Sequence, residues 1–327
     1  MAKKFPTISV VIPTWNRAET IRLAIDSVLA QTHPVLEILV CDDGSTDATK
    51  KLISEYKNNK VIWIGAKHSG LPSVPRNRGL TQATGSYIAF LDSDDIWLPD
   101  KLALQLERLL QEGDYNTVIT TNATIYNPTL NLETGSLYTD FIDSSLFSLF
   151  CLFIDNKIVT SSVLIHSSLQ RKVGFFPEAI GLRAYEDYAY WLRVATIGKF
   201  CYMPSTLVRY TDDPGSSIRS HSQNLFLKKM NVFINYYLWV LSNYPLHIPF
   251  ITVCLFLAIS NHLMQPMKRR LQGYIYMIKN RVFIILEIIS VNTVSLIGYL
   301  FIFIFFFISR FFHFFRLLKS YIWKIIR

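Results

Sequence analysis

Two short runs of acidic residues carry most of the chemistry this sequence can offer. Asp92-Ser93-Asp94 sets two carboxylates one residue apart. In extended backbone both project to the same side, so one can hold a hard divalent cation while the other reaches a ribose or a metal-bound water. A cation held this way neutralises a leaving diphosphate well. Glu186-Asp187 offers a second pair, either of which could act as a general base toward a hydroxyl. Trp191 follows one helical turn after Asp187, where it would screen that carboxylate from water. Taken alone, an acidic loop is more often a solvated turn, and Glu186-Asp187 is as readily a pair of helix-surface acids beside a core tryptophan.

Elements of regular spacing must position these groups. Thr7 to Ile12, Leu36 to Cys41, Val61 to Ile64 and Tyr87 to Leu91 read as buried strands, alternating with amphipathic crossover helices. That alternation predicts a parallel sheet. Ile21, Ile25, Val28 and Leu29 share one helical face, and Ser45 or Thr46 is placed to cap a second helix carrying Leu52, Ile53 and Tyr56. Pro99 and Gly113 bracket another helix, and a fifth strand is expected at Thr117 to Thr121. Further on, a strand is expected at Ile158 to Ile165 and a helix around Tyr185 to Ile197. In open parallel sheets ligands bind beyond the carboxyl ends of the strands. Three such ends are polar here: Pro13-Thr14-Trp15-Asn16-Arg17, Asp42-Asp43-Gly44-Ser45-Thr46-Asp47, and the run that begins at Asp92.

The ordered pieces VVIPTWNR (10–17), VCDDGSTD (40–47), PRNRGL (75–80), FLDSDDIWLPDKL (90–102) and YEDYAYWLR (185–193) resemble the family 2 glycosyltransferases. The resemblance implies a GT-A fold, a Rossmann-like mixed α/β sheet with helices on both faces. It also implies inverting, metal-dependent transfer from a nucleotide sugar, with UDP the expected nucleotide, onto a glycan or polyprenyl-diphosphate-linked acceptor in the making of a bacterial surface polysaccharide. Carried over, it makes Thr14 and Asp43, with Asp42 nearby, the contacts to base and ribose, counts Pro13 and Asn16 among the donor-binding residues, and has Asn77 and Arg78 position the donor. Asp92 and Asp94, with Ser93 between them, would hold Mg²⁺ or Mn²⁺ and the diphosphate. Asp187 would be the base, with Glu186 binding an acceptor hydroxyl or shaping the loop. Arg219 would contact the diphosphate from a loop, VRYTDDPGSSIRSH, that departs from the family pattern where Thr211 stands in place of a His. Arg76 and Arg78 read equally as solvated helix charges, and Asp42 and Asp47 as turn and cap residues.

Rival chemistries lack their signatures. Leu71-Pro72 stands where a phosphate-binding loop after Gly65 and Gly70 needs Lys and Ser or Thr. No G-x-G-x-x-G follows the first strand, and no Q-x-x-R-W of processive synthases occurs. Two other readings stay open: a polyprenyl-phosphate sugar synthase, whose ionised acceptor needs no base, and a catalytically silent membrane scaffold.

Charge and hydropathy divide the chain. The net charge is +9 over 327 residues and the mean hydropathy +0.26, and the stretch from Pro266 to Arg327 alone holds ten Lys or Arg against Glu287. A nucleic-acid binder would carry that excess on its folded domain, so no nucleic-acid partner is expected. Residues 1–245 are expected to form the catalytic domain, with nucleotide-sugar binding in 1–121 and acceptor recognition in 122–245. Residues 246–327 are expected to form a basic, membrane-associated helical tail. Val282 to Ser309 is long enough to span a bilayer, but its basic flanks favour a hairpin or in-plane helices. The run RFFHFFRLLKSYIWKIIR reads as an interfacial helix. Met1-Ala-Lys-Lys leads into a strand without a signal-peptide run, so the domain is expected at the cytoplasmic face of the inner membrane. Four separated cysteines read as buried thiols in a reducing compartment.

Overall fold

A computed structural model describes residues 6–137, 149–212 and 225–247, all within the first of two compact units, Met1–Ile251. The elements in chain order are β1 (Ile8–Thr14), α1 (Ile21–Leu29), β2 (Glu37–Asp42), α2 (Thr49–Ser54), β3 (Val61–Gly65), α3 (Ser73–Gln82), β4 (Tyr87–Phe90), β5 (Ile96–Trp97), α4 (Lys101–Glu112), β6 (Thr117–Asn127), β7 (Leu132–Ser136), α5 (Leu149–Ile154), β8 (Leu164–His166), α6 (Ser167–Val173), α7 (Glu186–Ile197), β9 (Lys199–Thr211) and α8 (Leu225–Asn243).

Every residue of β1, β2 and β4 is buried, as expected of strands covered on both faces. The four early strands pair in parallel in the order β3-β2-β1-β4. The sheet then turns mixed and continues β8-β6-β9-β5, with β7 beside β6. Strand β8 runs antiparallel to both neighbours, meeting β4 over three residue pairs and β6 through Ile119↔Leu164 alone. Side chains supply much of the second junction. Gln105 Nε2 donates to the carbonyls of Ser162 (2.7 Å) and Ile119 (3.3 Å), and the Thr120 and Ser162 hydroxyls lie 2.5 Å apart.

Helix α1 buries Ile21, Ala24, Ile25 and Val28 against the sheet. Helix α3 sits close because its Gly79 has no side chain. A Cβ there would lie 2.5 Å from Val11 Cγ1 and 2.8 Å from Cys41 Sγ, far inside contact distance. That close approach carries Arg76 and Arg78 toward the strand ends. Helix α4 ends at Gly113 in the left-handed region, φ +65°, where glycine is unstrained.

Several expectations need correction. Helix α2 has Ala48 at its N-cap, and the capping contact comes from Asp47 Oδ1, which accepts from Thr49 N at 3.0 Å. Ser45 instead donates to Asp42, and its hydroxyl accepts from Asn16 N at 2.8 Å. The apolar run at 158–165 is not one strand: a 3₁₀ turn, Thr160–Ser162, precedes the short β8. Helix α4 starts at Lys101 rather than Pro99, with Asp100 at its cap. Cys41 and Cys201 are buried, but Cys151, on the outer side of α5, is exposed. Among the described residues no helix is long and apolar enough to cross a membrane. The tail, residues 248–327, lies outside the described residues, as do Arg219 and His221.

Candidate active site

The carboxyl ends of β1, β2 and β4 open on a cavity of about 470 Å³ that is closed on its far side by the start of α7. Pro13 and Thr14 line it from β1, Asp43 from the turn after β2, Asp92, Ser93 and Asp94 from the loop after β4, and Glu186 and Asp187 from α7. Among the polar atoms of its lining residues, Thr14 Oγ1 and Glu186 Oε2 are buried without a hydrogen-bond partner, as is Arg76 Nε. A buried polar group left unmade costs about 1–3 kcal/mol, so these are groups a polar ligand would satisfy.

Arg76 ties the two acidic runs together. Its Nη1 donates to Glu186 Oε1 at 2.9 Å and its Nη2 to Asp92 Oδ1 at 2.6 Å, with 7% of the side chain exposed. Burial alone would weaken its hold on the proton, but Asp92 and Glu186 more than offset this and raise its pKa. Glu186 shows the opposite balance: burial and the neighbouring Asp187 raise its pKa in spite of Arg76. Arg17 Nη2 lies 3.2 Å from Asp94 Oδ2. Asp94 keeps 27% of its side chain exposed, yet the protein packed around it raises its pKa; Asp92 adds to this and Arg17 opposes it. Asp95, next in line and fully buried, is raised well above the usual range by burial and then by Asp94 and Asp92. The site thus crowds negative charge where two arginines only partly balance it.

Asp187 Oδ1 accepts from Tyr188 N at 2.7 Å, and Oδ2 accepts from Thr160 Oγ1 at 3.4 Å. Trp191 belongs to the aromatic core, packed edge-on to Phe90, Phe176 and Phe200. The other anticipated residues build the loops around the cavity. Asn16, at φ +49°, accepts from Thr46 N through Oδ1 at 2.8 Å. Asp42 accepts from Gly44 N and Ser45 N, both at 2.9 Å. Asp43 accepts from Ser69 N and Gly70 N, both at 3.0 Å, and from Arg78 Nη2 at 3.1 Å. Asn77 donates to Phe176 O and Glu178 Oε1, which joins α3 to the segment before α7.

Four features were not anticipated. Arg76 is a buried bridge, not a solvated helix charge. Arg17 faces Asp94. Trp15 stacks on His68 at the cavity rim, with ring centroids 4.5 Å apart. Ser161 donates to Asp95 Oδ2 at 2.5 Å while its hydroxyl accepts from Asp92 N at 3.0 Å, which locks the acidic loop in shape. The Arg and Trp stood inside the quoted motifs and offered a signal. Ser161, inside a run that reads as a strand, offered none.

Among the described residues no three His, Cys, Asp or Glu side chains gather to enclose a metal. A hard cation that keeps several waters and shares a diphosphate needs only one or two carboxylates. Asp92 and Asp94 provide two on one cavity wall, and their unbalanced charge suits a cation. The residues fit such an ion.

The sequence profile of glycosyl transferase family 2 matches residues 9–156. Residues 9–156 thus match a family 2 glycosyltransferase domain. An uncharacterized glycosyltransferase of Rickettsia felis is 35% identical over 189 residues, which is 58% of this chain and 30% of that protein. The Escherichia coli UDP-Glc:alpha-D-GlcNAc-diphosphoundecaprenol beta-1,3-glucosyltransferase WfgD is 38% identical over 106 residues, 32% of this chain and 42% of its own length. The matches thus span less than half of these two relatives. The crystal structure of S. aureus TarS 1–349 in complex with UDP-GlcNAc superposes with a TM-score of 0.61 at 19% identity, covering 79% of this chain and 73% of that one. The chain therefore shares the mixed-sheet GT-A fold of that structure.

Proposed function

We propose that the domain transfers a sugar from a nucleoside diphosphate sugar, with UDP the favoured nucleotide, to a hydroxyl of a glycan or lipid-linked acceptor during assembly of a surface polysaccharide. The observation that carries this reading is the meeting of Asp92, Asp94 and Asp187 on one cavity, although 95 positions part Asp92 from Asp187. The relatives lend support. WfgD is named for a diphosphoundecaprenol acceptor, the Bacillus subtilis relative TuaG, 37% identical over 110 residues, for teichuronic acid biosynthesis, and TarS is seen with UDP.

In the proposed reaction the donor lies along β1 and the acidic loop, with Thr14 Oγ1 donating to it and Arg17 and Arg76 close to the diphosphate. Mg²⁺ or Mn²⁺ held by Asp92 and Asp94 would neutralise charge on the leaving diphosphate. Asp187 takes the acceptor hydroxyl's proton as that oxygen bonds to the anomeric carbon. The anomeric carbon–oxygen bond breaks on the opposite face, and the electron pair leaves with the nucleoside diphosphate, so configuration inverts. Glu186 Oε2 accepts a second acceptor hydroxyl. The basic, apolar tail would hold the enzyme at the cytoplasmic face of the inner membrane, where lipid-linked acceptors reside.

The test uses the full chain in detergent with a panel of nucleotide sugars, native lipid extract, and Mn²⁺ or Mg²⁺ against EDTA. Release of one nucleoside diphosphate, abolished by EDTA and in Asp94→Ala and lowered roughly 10²–10⁴-fold in Asp187→Asn, is expected. No release from any donor would end the transferase reading.

A further inference from the structure

The end of the cavity away from Thr14 is walled by Asp155 and Asn156, residues 158–160, residues 183–187 and Lys229 of α8. Two cations stand on this wall. Arg183 is exposed, and among the described residues its side chain has no hydrogen-bond or ion-pair partner. Lys229 Nζ lies 3.3 Å from Asp155 Oδ1, with 16% of the lysine side chain exposed against 59% of the aspartate.

The backbone at Arg183 is held on both sides. Its N–H donates to Ile180 O at 3.2 Å, and Lys228 Nζ donates to its carbonyl at 3.3 Å. The next residue, Ala184, has φ +68°, a conformation that a residue with a Cβ adopts only when its surroundings impose it. The turn thus fixes the backbone that carries Arg183 on the cavity wall, four residues before Asp187. Asp155, Asp212, Asp187 and Glu186 are the acids that face the same space, and Glu186 is already paired with Arg76.

We propose that Arg183 and Lys229 form a subsite for an anionic group carried by the acceptor, a phosphate or carboxylate near the hydroxyl that attacks. The inference rests on the transferase reading for the word acceptor and on geometry for the rest. A guanidinium fork matches two oxygens of such a group, and the ammonium adds a point charge. Asp155 is a resting partner of Lys229 and gives way when the anion enters. The anion has two sources, the diphosphate of a lipid-linked sugar or the carboxylate of an acidic sugar in a glycan.

The experiment is a titration of the full chain in detergent, with UDP and Mg²⁺ present to fill the donor end, by geranyl diphosphate, geraniol and methyl glucuronide. Wild type is expected to bind one of the anions and to bind it more tightly than geraniol. Arg183→Gln should weaken that binding roughly 10- to 100-fold, the range for a charge-assisted contact. Lys229→Gln should weaken it about tenfold, and Asp155→Asn should strengthen it. Preference for geranyl diphosphate assigns a lipid diphosphate, and preference for the glucuronide an acidic glycan. Unchanged UDP affinity in the variants shows that they fold, and Arg183→Lys should recover part of the loss. Equal anion affinity in wild type and Arg183→Gln, or binding of neither anion, overturns the proposal. Anion binding that follows this pattern in a protein that turns over no donor leaves the subsite standing and removes the transferase reading alone.

Discussion

Replacing Arg76 with Met tests the electrostatic account of the site most directly. The substitution removes a contact of 2.9 Å to Glu186 and one of 2.6 Å to Asp92. Asp92, 30% exposed, can turn to water, but Glu186, 6% exposed, cannot. Breaking one side of a buried pair costs about 3–5 kcal/mol, mostly because the remaining charge is uncompensated. Adding Glu186→Gln removes that charge and should recover about 1–3 kcal/mol. The sign with pH follows from Glu186. Its folded pKa already lies above 4.5, and loss of Arg76 raises it further. A carboxyl raised on folding contributes stability that is present below its unfolded value and lost as pH rises through its folded value. The deficit of Arg76→Met should therefore shrink as pH falls from 7 toward 4.5. Urea unfolding at several pH values, read as midpoints at constant slope, measures all of this. A loss below about 1 kcal/mol at pH 7, or no recovery in the double variant, would refute the reasoning.

Lys101 is fully buried with Nζ 2.8 Å from Gln105 Oε1 and 4.0 Å from the Trp97 ring centre, and burial lowers its pKa well below 10.5. Since the unfolded chain binds that proton more tightly, stability from this site is lost as pH falls from 10.5 toward the folded value. Lys101→Met should thus be at least as stable as wild type at pH 7, with its relative advantage shrinking toward pH 10 in thermal melts. Ser161→Ala removes the hydroxyl shared by Asp95 and Asp92 N; a loss of about 1–3 kcal/mol in urea is expected, with a weakened affinity for Mn²⁺ measured by calorimetry.

The first half was legible because β1, β2 and β4 are buried on both faces and so read as apolar runs, from Ile8 to Ile12 with Ser9 the one polar residue and from Ile38 to Cys41 without a break, each ending in polar residues. The later half was not. Strand β9 contains Pro204, Ser205 and Thr206 in its middle, all at least partly exposed, and its register against β6 shifts there, so it lacks a clean alternation. Residues 158–165 looked like a strand because Ile158, Val159, Val163, Leu164 and Ile165 are buried. The hydroxyls of Thr160, Ser161 and Ser162 between them serve Asp187, Asp95 and Val159 O. Arg76 shows the limit most plainly: its partners stand 16 and 110 positions away, and no local spacing reveals that.

Strand β8 bears on how such an enzyme could change its substrates. Strands β8 and β6 join across a backbone ladder of one residue pair, stiffened by the side chains of Gln105, Thr120 and Ser162. Side chains can be exchanged one codon at a time, whereas a ladder cannot. The angle at which β8 meets β6 is thus open to gradual change in descent, and a lineage could move Val159 and Thr160 on the cavity wall just before β8 while leaving the ends of β1 and β2 intact.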